Sequence, residues 1–312
     1  MPSARRATFA VMPGKAPDIM SDYDLATLGY EETEFRVQGT ACSYEQRGER
    51  GADGRWEAEP GATAPFRTRI VVRRPLDPGR FSGTVVVEWH NVSAGIDAAP
   101  DWGFVHRHLA ARGHAWVGVS AQKAGIDGGG FVQGIELKVL APERYAELEH
   151  PGDAWSFDLF SQVGELLRLP AEESPLGLEA ELLLAAGESQ SAACLVTYVN
   201  AIDGHARVFD GFFVHGRPGT GVSIDGVFIP RARQGFEEAT REIASKGERI
   251  RDDARVPVLV FQSETDVILL GGGRAAQPDS ERVRVWELAG AAHADTYTMS
   301  GGRRDDGTLT GA

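Results

Sequence analysis

A chain of 312 residues with 42% hydrophobic and 25% charged side chains can bury one sizeable core and has the ordinary composition of a globular domain. Its formal charge of −13 argues against nucleic acid or an anionic membrane surface as partner, since both need clustered Lys and Arg. No stretch reaches the roughly 20 apolar residues that span a bilayer, and Met1 to Lys15 lacks the continuous apolar core of a signal peptide.

Residues 1–30 mix Pro, Gly and Asp with few periodic apolar positions and read as a surface wrap. Phe35, Val37, Thr40, Cys42 and Tyr44 alternate loosely, which predicts a strand over Thr33 to Tyr44. Gln46 to Ala64 is rich in Gly and charge and reads as a connection. Phe66 to Val72 alternates again as the antiparallel partner, and the basic pair Arg73–Arg74 reads as a solvated strand end. Thr84 to Trp89 is nearly continuous in β-branched residues, the pattern of a parallel strand buried on both faces. A helix follows over Asp101 to Arg112, with Trp102, Val105, Leu109 and Ala110 apolar, and Gly113 stops it. Ala115 to Ser120 is the next strand. Strand, helix and strand in this order make a parallel crossover, so the class is α/β.

Gly125 to Gly130 lacks the Lys-Ser/Thr pair of a phosphate loop and reads as a flexible loop. Trp155 to Leu169 carries a clear amphipathic pattern that Pro170 ends. Val208 to Val214 and Val283 to Leu288 are further strands, and Val256 to Phe261 is a buried one. Residues 216–255 interrupt the alternation, with a charged helical stretch from Phe236 to Ile250, and read as an inserted lid. Phe228 and Phe236 offer it apolar surface for substrate binding. No linker divides the chain, so residues 1–312 form a single domain. Cys42 and Cys194 are the only cysteines and lie far apart, which fits a reduced, cytoplasmic protein.

The chemistry centres on Leu182 to Val196, where an apolar strand passes through Gly187-Glu188-Ser189-Gln190-Ser191 into an Ala-rich helix. This is the layout of a nucleophile elbow, a sharp turn that exposes a serine and demands small residues two positions to either side. A serine hydroxyl needs a base, and the base needs an orienting acid. Asp266 lies just past the strand ending at Phe261, and His293 just past the strand ending at Leu288. All three therefore stand on the rim where open α/β sheets bind ligands. Glu264 is the alternative acid. The elbow N–H of Gln190 is one oxyanion donor; the second is expected from the loop after Trp89, at Asn91, with His90 or Val92 as neighbouring candidates. His106 and His108 sit two apart on a helix and read as surface residues, Cys194 as an inert core thiol, and the sequon Asn91-Val92-Ser93 as coincidence. No metal or organic cofactor is called for.

The segments Val87 to Ser93, Val117 to Gln122, Gly187 to Ala192 and Gln262 to Val267 resemble the "alpha/beta hydrolase domain" family of bacterial proteins, over about Thr33 to Thr296. The resemblance implies an α/β-hydrolase fold, with a mostly parallel central sheet flanked by helices. It also implies Ser189 as nucleophile, Asp266 as acid and His293 as base. Glu188-Ser189 is similar to carboxylesterase elbows. Relatives continue well past the histidine, so part of the C-terminal architecture is expected to be missing after Ala312. A serine esterase acting on a small-molecule carboxylic ester is the reading that follows. An acyltransferase or amidase with the same three residues, or a catalytically silent binding protein of this fold, remain the alternatives.

Overall fold

The computed structural model describes residues 7–14, 16, 24–130, 132–226 and 245–295. Phe228, Phe236 and the segment after Asp295 lie outside them, so the substrate-binding residues and the C-terminal architecture expected above are not among the described parts. The strands are β1 Thr8–Val11, β2 Tyr30–Arg47, β3 Glu57–Pro75, β4 Thr84–Trp89, β5 Ala115–Val119, β6 Leu182–Glu188, β7 Gly211–His215, β8 Val258–Ser263 and β9 Val283–Leu288. They form one nine-stranded sheet in the order β1-β2-β3-β5-β4-β6-β7-β8-β9. Strands β4 to β9 pair in parallel, while β1, β2 and β3 form an antiparallel extension joined through β3 to β5. This is the mostly parallel α/β-hydrolase sheet.

Three differences from the sequence reading concern the antiparallel part. Thr8–Val11 is an edge strand paired with Phe35–Gln38, although its four residues are too few to show a period. Strands β2 and β3 stay paired out to Arg47 and Glu57, well into the stretch read as a connection. Arg73 is not a solvated strand end: it pairs with Glu32 at 2.8 Å, and its guanidinium lies 4.7 Å from the ring centroid of Trp102 and 4.9 Å from that of Trp116. Cation–π contact and a carboxylate together hold an arginine against an aromatic face.

Helices cover both faces of the sheet. Helix α1, Pro100–Arg112, ends at Gly113 (φ 71°), which supplies the left-handed cap that L-residues resist. It packs Trp102 and Leu109 against Trp116 and Val71 on one face. Helix α2, Ser156–Leu167, buries Phe157, Leu159, Phe160, Val163, Leu166 and Leu167 on the other. There Phe160 sits 4.9 Å from Trp89 and 5.0 Å from Phe209, ring to ring. Emptying such a site by Phe→Ala removes about 3–5 kcal/mol of stability. Helix α3, Gln190–Thr197, is buried throughout, and its Cys194 is an apolar-core thiol whose burial pushes its pKa well up.

The register places the C-terminal ends of the parallel strands on one rim. Glu188 pairs with His215, His215 with Phe261, and Ser263 with Leu288. The described C-terminal flank of the expected insertion packs onto the body. Lys246 to Ile250 is not helical; Glu248 is buried, accepts hydrogen bonds from Arg50, Trp56, Asn200 and Gly221, and anchors that flank.

Candidate active site

Strand β6 delivers Ser189 onto a backbone conformation of φ 58°, ψ −113°. A non-glycine residue held there stores about 1–3 kcal/mol, and the structure around it must over-determine the turn. Ser189 N–H donates to His215 O at 2.9 Å, and a Cβ on Gly187 would stand only 3.0 Å from the Ser191 carbonyl carbon. Ser191 is small enough for the second flank and its hydroxyl is useful there. It accepts the Glu188 N–H at 3.0 Å and donates to Glu188 O at 2.8 Å, satisfying the strand end within the turn.

The acid comes from the N-terminus of a short helix, α4, Glu264–Ile268, capped reciprocally by Ser263 and Asp266. Asp266 Oδ2 accepts the Ser263 N–H at 2.6 Å, which leaves Oδ1 facing His293 Nδ1 at 2.5 Å. On the other side of the ring, His293 Nε2 lies 2.9 Å from Ser189 Oγ. Ser189, His293 and Asp266 thus form one unbroken hydrogen-bonded row. Burial works to raise the Asp266 carboxyl, but the hydrogen bond and charge of His293 outweigh it and hold it below the usual range. For His293, burial works downward and is outweighed by Asp266 and by the charge of Glu188, so the imidazole is raised. Glu264, the alternative acid, instead accepts the Gly290 N–H at 2.7 Å and braces the histidine loop. Gly216 (φ 59°) passes close beneath the row, where a Cβ would lie 3.3 Å from His293 Nδ1.

At the mouth of the elbow, Gln190 is the first residue of α3, so its N–H has no residue four back to accept it. Asn91 does not supply the second donor expected of it. Its N–H is bonded to Ala98 O at 2.9 Å, and its side-chain amide donates to both Glu188 O and Glu188 Oε2 at 3.0 Å. His90 N–H is taken by Val119 O and Ser93 N–H by Asn91 Oδ1. Among the described residues, Val92 N–H meets Gln190 Oε1, at 3.4 Å. The buried, doubly engaged Asn91 amide also leaves no room for a glycan at the sequon.

Three carboxyl groups and a second histidine were given no role in the sequence reading. Glu188 Oε1 lies 3.5 Å from His293 Nε2, and burial pushes its carboxyl up to about 7. His215 Nδ1 lies 2.7 Å from Asp101 Oδ1 at the start of α1. Burial would lower this imidazole, but the hydrogen bond and charge of Asp101 raise it. Beneath them Glu88 is fully buried, accepts from Asp101 N, Trp102 N and Trp116 Nε1, and is pushed well up by burial and by Asp101. The available signal was polar residues ending otherwise apolar buried strands. The loop 90–98 rests on another buried cluster. Asp97 accepts from Ser120 Oγ and from Arg69 at 3.4 Å, and Arg69 also binds Glu34 at 2.6 Å. Burial opposes ionisation of Asp97, yet His90, Arg69 and Ser120 hold its carboxyl down at about 2.

Two further expectations change. His106 is buried, its Nδ1 3.0 Å from Gly103 O, while His108 is exposed as expected. Lys123–Asp127 is a helical turn, and Gly125 within it packs onto Asp97 so closely that a Cβ would collide with the carboxylate. Among the described residues, no group of three His, Cys, Asp or Glu is arranged to hold a metal ion. No helix among them is long and apolar enough to cross a membrane.

A model of the "Alpha/beta hydrolase domain" family matches residues 3–311. The chain belongs to that family. The match to this alpha/beta hydrolase extends beyond the Thr33 to Thr296 span of the sequence resemblance at both ends. No curated protein matches it. Among solved structures, it is similar to a putative dienelactone hydrolase from Klebsiella pneumoniae at 13% identity and TM-score 0.43, covering 85% of this chain and 95% of that one. It is similar to a fungal esterase from Rhizomucor miehei at 13% identity and TM-score 0.42, covering 83% and 78%. An acetyl xylan esterase from Paenibacillus aligns at 12% identity and TM-score 0.41, covering 92% and 84%.

Proposed function

We propose that this alpha/beta hydrolase is a serine esterase that cleaves a small-molecule carboxylic ester through an acyl-enzyme intermediate. The observation that carries the reading is the hydrogen-bonded row Ser189–His293–Asp266, with the serine presented at φ 58°. With its proton on Nδ1 and bonded to Asp266, His293 offers the Nε2 lone pair to Ser189 Oγ. Oγ attacks the acyl carbon as Nε2 takes the proton. The imidazolium returns it to the departing alcohol, and a water molecule repeats the sequence to release the acid. Gln190 N–H faces the developing oxyanion, and Val92 N–H replaces Asn91 as its companion, since of His90, Asn91 and Val92 it has the longest and weakest alternative partner. Losing one such donor lowers turnover about 10²–10³-fold.

The test is labelling with a fluorophosphonate probe, followed by location of the modified residue and assay on p-nitrophenyl esters of short to medium acyl chains. Modification at Ser189, absent in Ser189→Ala together with nearly all turnover, is the expected result. Wild-type turnover in Ser189→Ala would sink the mechanism.

A further inference from the structure

His293 Nε2 faces two acceptors rather than one. Ser189 Oγ is at 2.9 Å, and Glu188 Oε1 at 3.5 Å approaches the same nitrogen. Glu188 is not a loose side chain that happens to point inward. Its carboxyl is buried, and Asn91 fixes Oε2 at 3.0 Å, which leaves Oε1 as the atom turned to the histidine. Its backbone is fixed as well, through both hydrogen bonds of Ser191. A carboxyl one residue from the nucleophile, held this firmly and this dry, is costly unless a charge offsets it.

The offset is on the neighbouring strand. His215 pairs in register with Glu188 across β6 and β7, and Asp101 holds its Nδ1 from α1. The two imidazoles, His293 and His215, both act to lower the Glu188 carboxyl against the effect of burial, while Asp101 acts to raise it. Those three groups and the Asn91 amide are what face Glu188 from β7, α1, the histidine loop and the loop after β4. Glu88 lies beyond Asp101 and pairs with Ala186 on β6, two residues below. Asp266 acts on both histidines from the far side.

We propose that Glu188, with the His215–Asp101 pair beside it, is a positioning residue for His293: its carboxylate is a second acceptor for the Nε2 proton of the imidazolium. The inference rests on the serine-hydrolase reading and adds a part to it. Once His293 has taken the Ser189 proton, Nε2–H needs an acceptor until the alcohol leaves. Ser189 Oγ has become bonded to carbon by then and is a poorer one. The Glu188 carboxylate is 3.5 Å away. No atom changes hands beyond the one proton that His293 carries. Where Glu188 is ionised, the same charge also stabilises the imidazolium of the free enzyme, so it moves the acid limb of the rate profile to a higher pH than Asp266 alone would.

The experiment compares wild type, Glu188→Gln and Glu188→Asp by the pH profiles of kcat and kcat/KM on a p-nitrophenyl ester. NMR titration of the His293 ring reads the same coupling without turnover. An opposite charge within about 4–6 Å moves a pKa by 1–3 units, so Glu188→Gln should move the acid limb and the His293 titration down by about one pH unit or more. Plateau kcat should fall about tenfold with KM little changed, as for a lost transition-state interaction. Glu188→Asp should return the limb and the titration toward wild type. A Glu188→Gln protein with lower kcat but an unmoved limb and an unmoved His293 titration would overturn the proposal and leave Glu188 a structural residue. Failure of Ser189 to react with the fluorophosphonate in wild type would instead overturn the esterase reading, and the NMR titration would still decide the coupling.

Discussion

The backbone N–H of His293 donates to Thr265 Oγ1 at 2.6 Å, so the loop carrying the proposed base is fastened to the short helix carrying the proposed acid. Thr265 sits between Glu264, which holds Gly290, and Asp266, which holds the imidazole. Three consecutive side chains therefore position one histidine. Thr265→Ala removes the central tie without touching the reacting atoms. A displacement of about 1 Å can lower a rate on the order of 10²-fold, so kcat should fall by about 10–100-fold with KM little changed. Unchanged kcat would show that Glu264 and Asp266 hold the loop unaided.

The two carboxyl groups of helix α4 separate by kinetics. Asp266→Asn leaves the ring bonded in the wrong tautomer and should reduce kcat by about 10⁴. Glu264→Gln keeps an acceptor for the Gly290 N–H and should lower it about tenfold or less. Steady-state assays that gave the reverse order would move the acid to Glu264.

Glu188 gives stability a distinctive pH dependence. Its carboxyl is raised to about 7 in the folded chain, above the unfolded value, so between about pH 4.5 and 7 the folded protein keeps a proton that the unfolded chain has lost. Stability from this group is present in acid and falls as pH rises through that window, by up to about 3 kcal/mol once Glu188 is ionised. Glu188→Gln should therefore melt higher than wild type at pH 8 and at nearly the same temperature at pH 4.5. Equal melting temperatures at pH 8 would refute it. Asp266 has the opposite sign: its lowered carboxyl contributes stability above the unfolded pKa, lost as pH falls through the folded one.

Arg69 lies between Glu34 and Asp97 with its side chain buried. Arg69→Met leaves Asp97 without its guanidinium and Glu34 with Arg144 alone, and breaking a buried pair from one side removes about 3–5 kcal/mol. Urea unfolding should show that loss. Because Asp97 supports loop 90–98, which carries Val92, kcat should fall in the residual folded protein as well. A loss under about 1 kcal/mol would mean that water replaces the guanidinium.

The sequence by itself determined the parallel strands, the order of the elements, and Ser189, Asp266 and His293 as the set to consider. Continuous β-branched runs can be satisfied only in the middle of a sheet, and the small residues around Ser189 suit only a sharp turn. Local pattern therefore reached as far as local sterics did. What the tertiary structure decided is everything set by approach between distant strands. Register brings His215 beside Glu188, and helix α1 brings Asp101 to His215; neither has any signature in residue spacing. Asn91 looked like a donor from its place after β4, but a bridge to Ala98 and the backbone carbonyl and carboxylate of Glu188 use all its N–H groups. Arg73 looked solvated because arginines usually are, and two tryptophan rings lying far from it in the chain hold its guanidinium half-buried against their faces. Hydrogen bonds and ring contacts act over about 3–6 Å. Which groups fall within that reach is settled by how the whole sheet twists and packs.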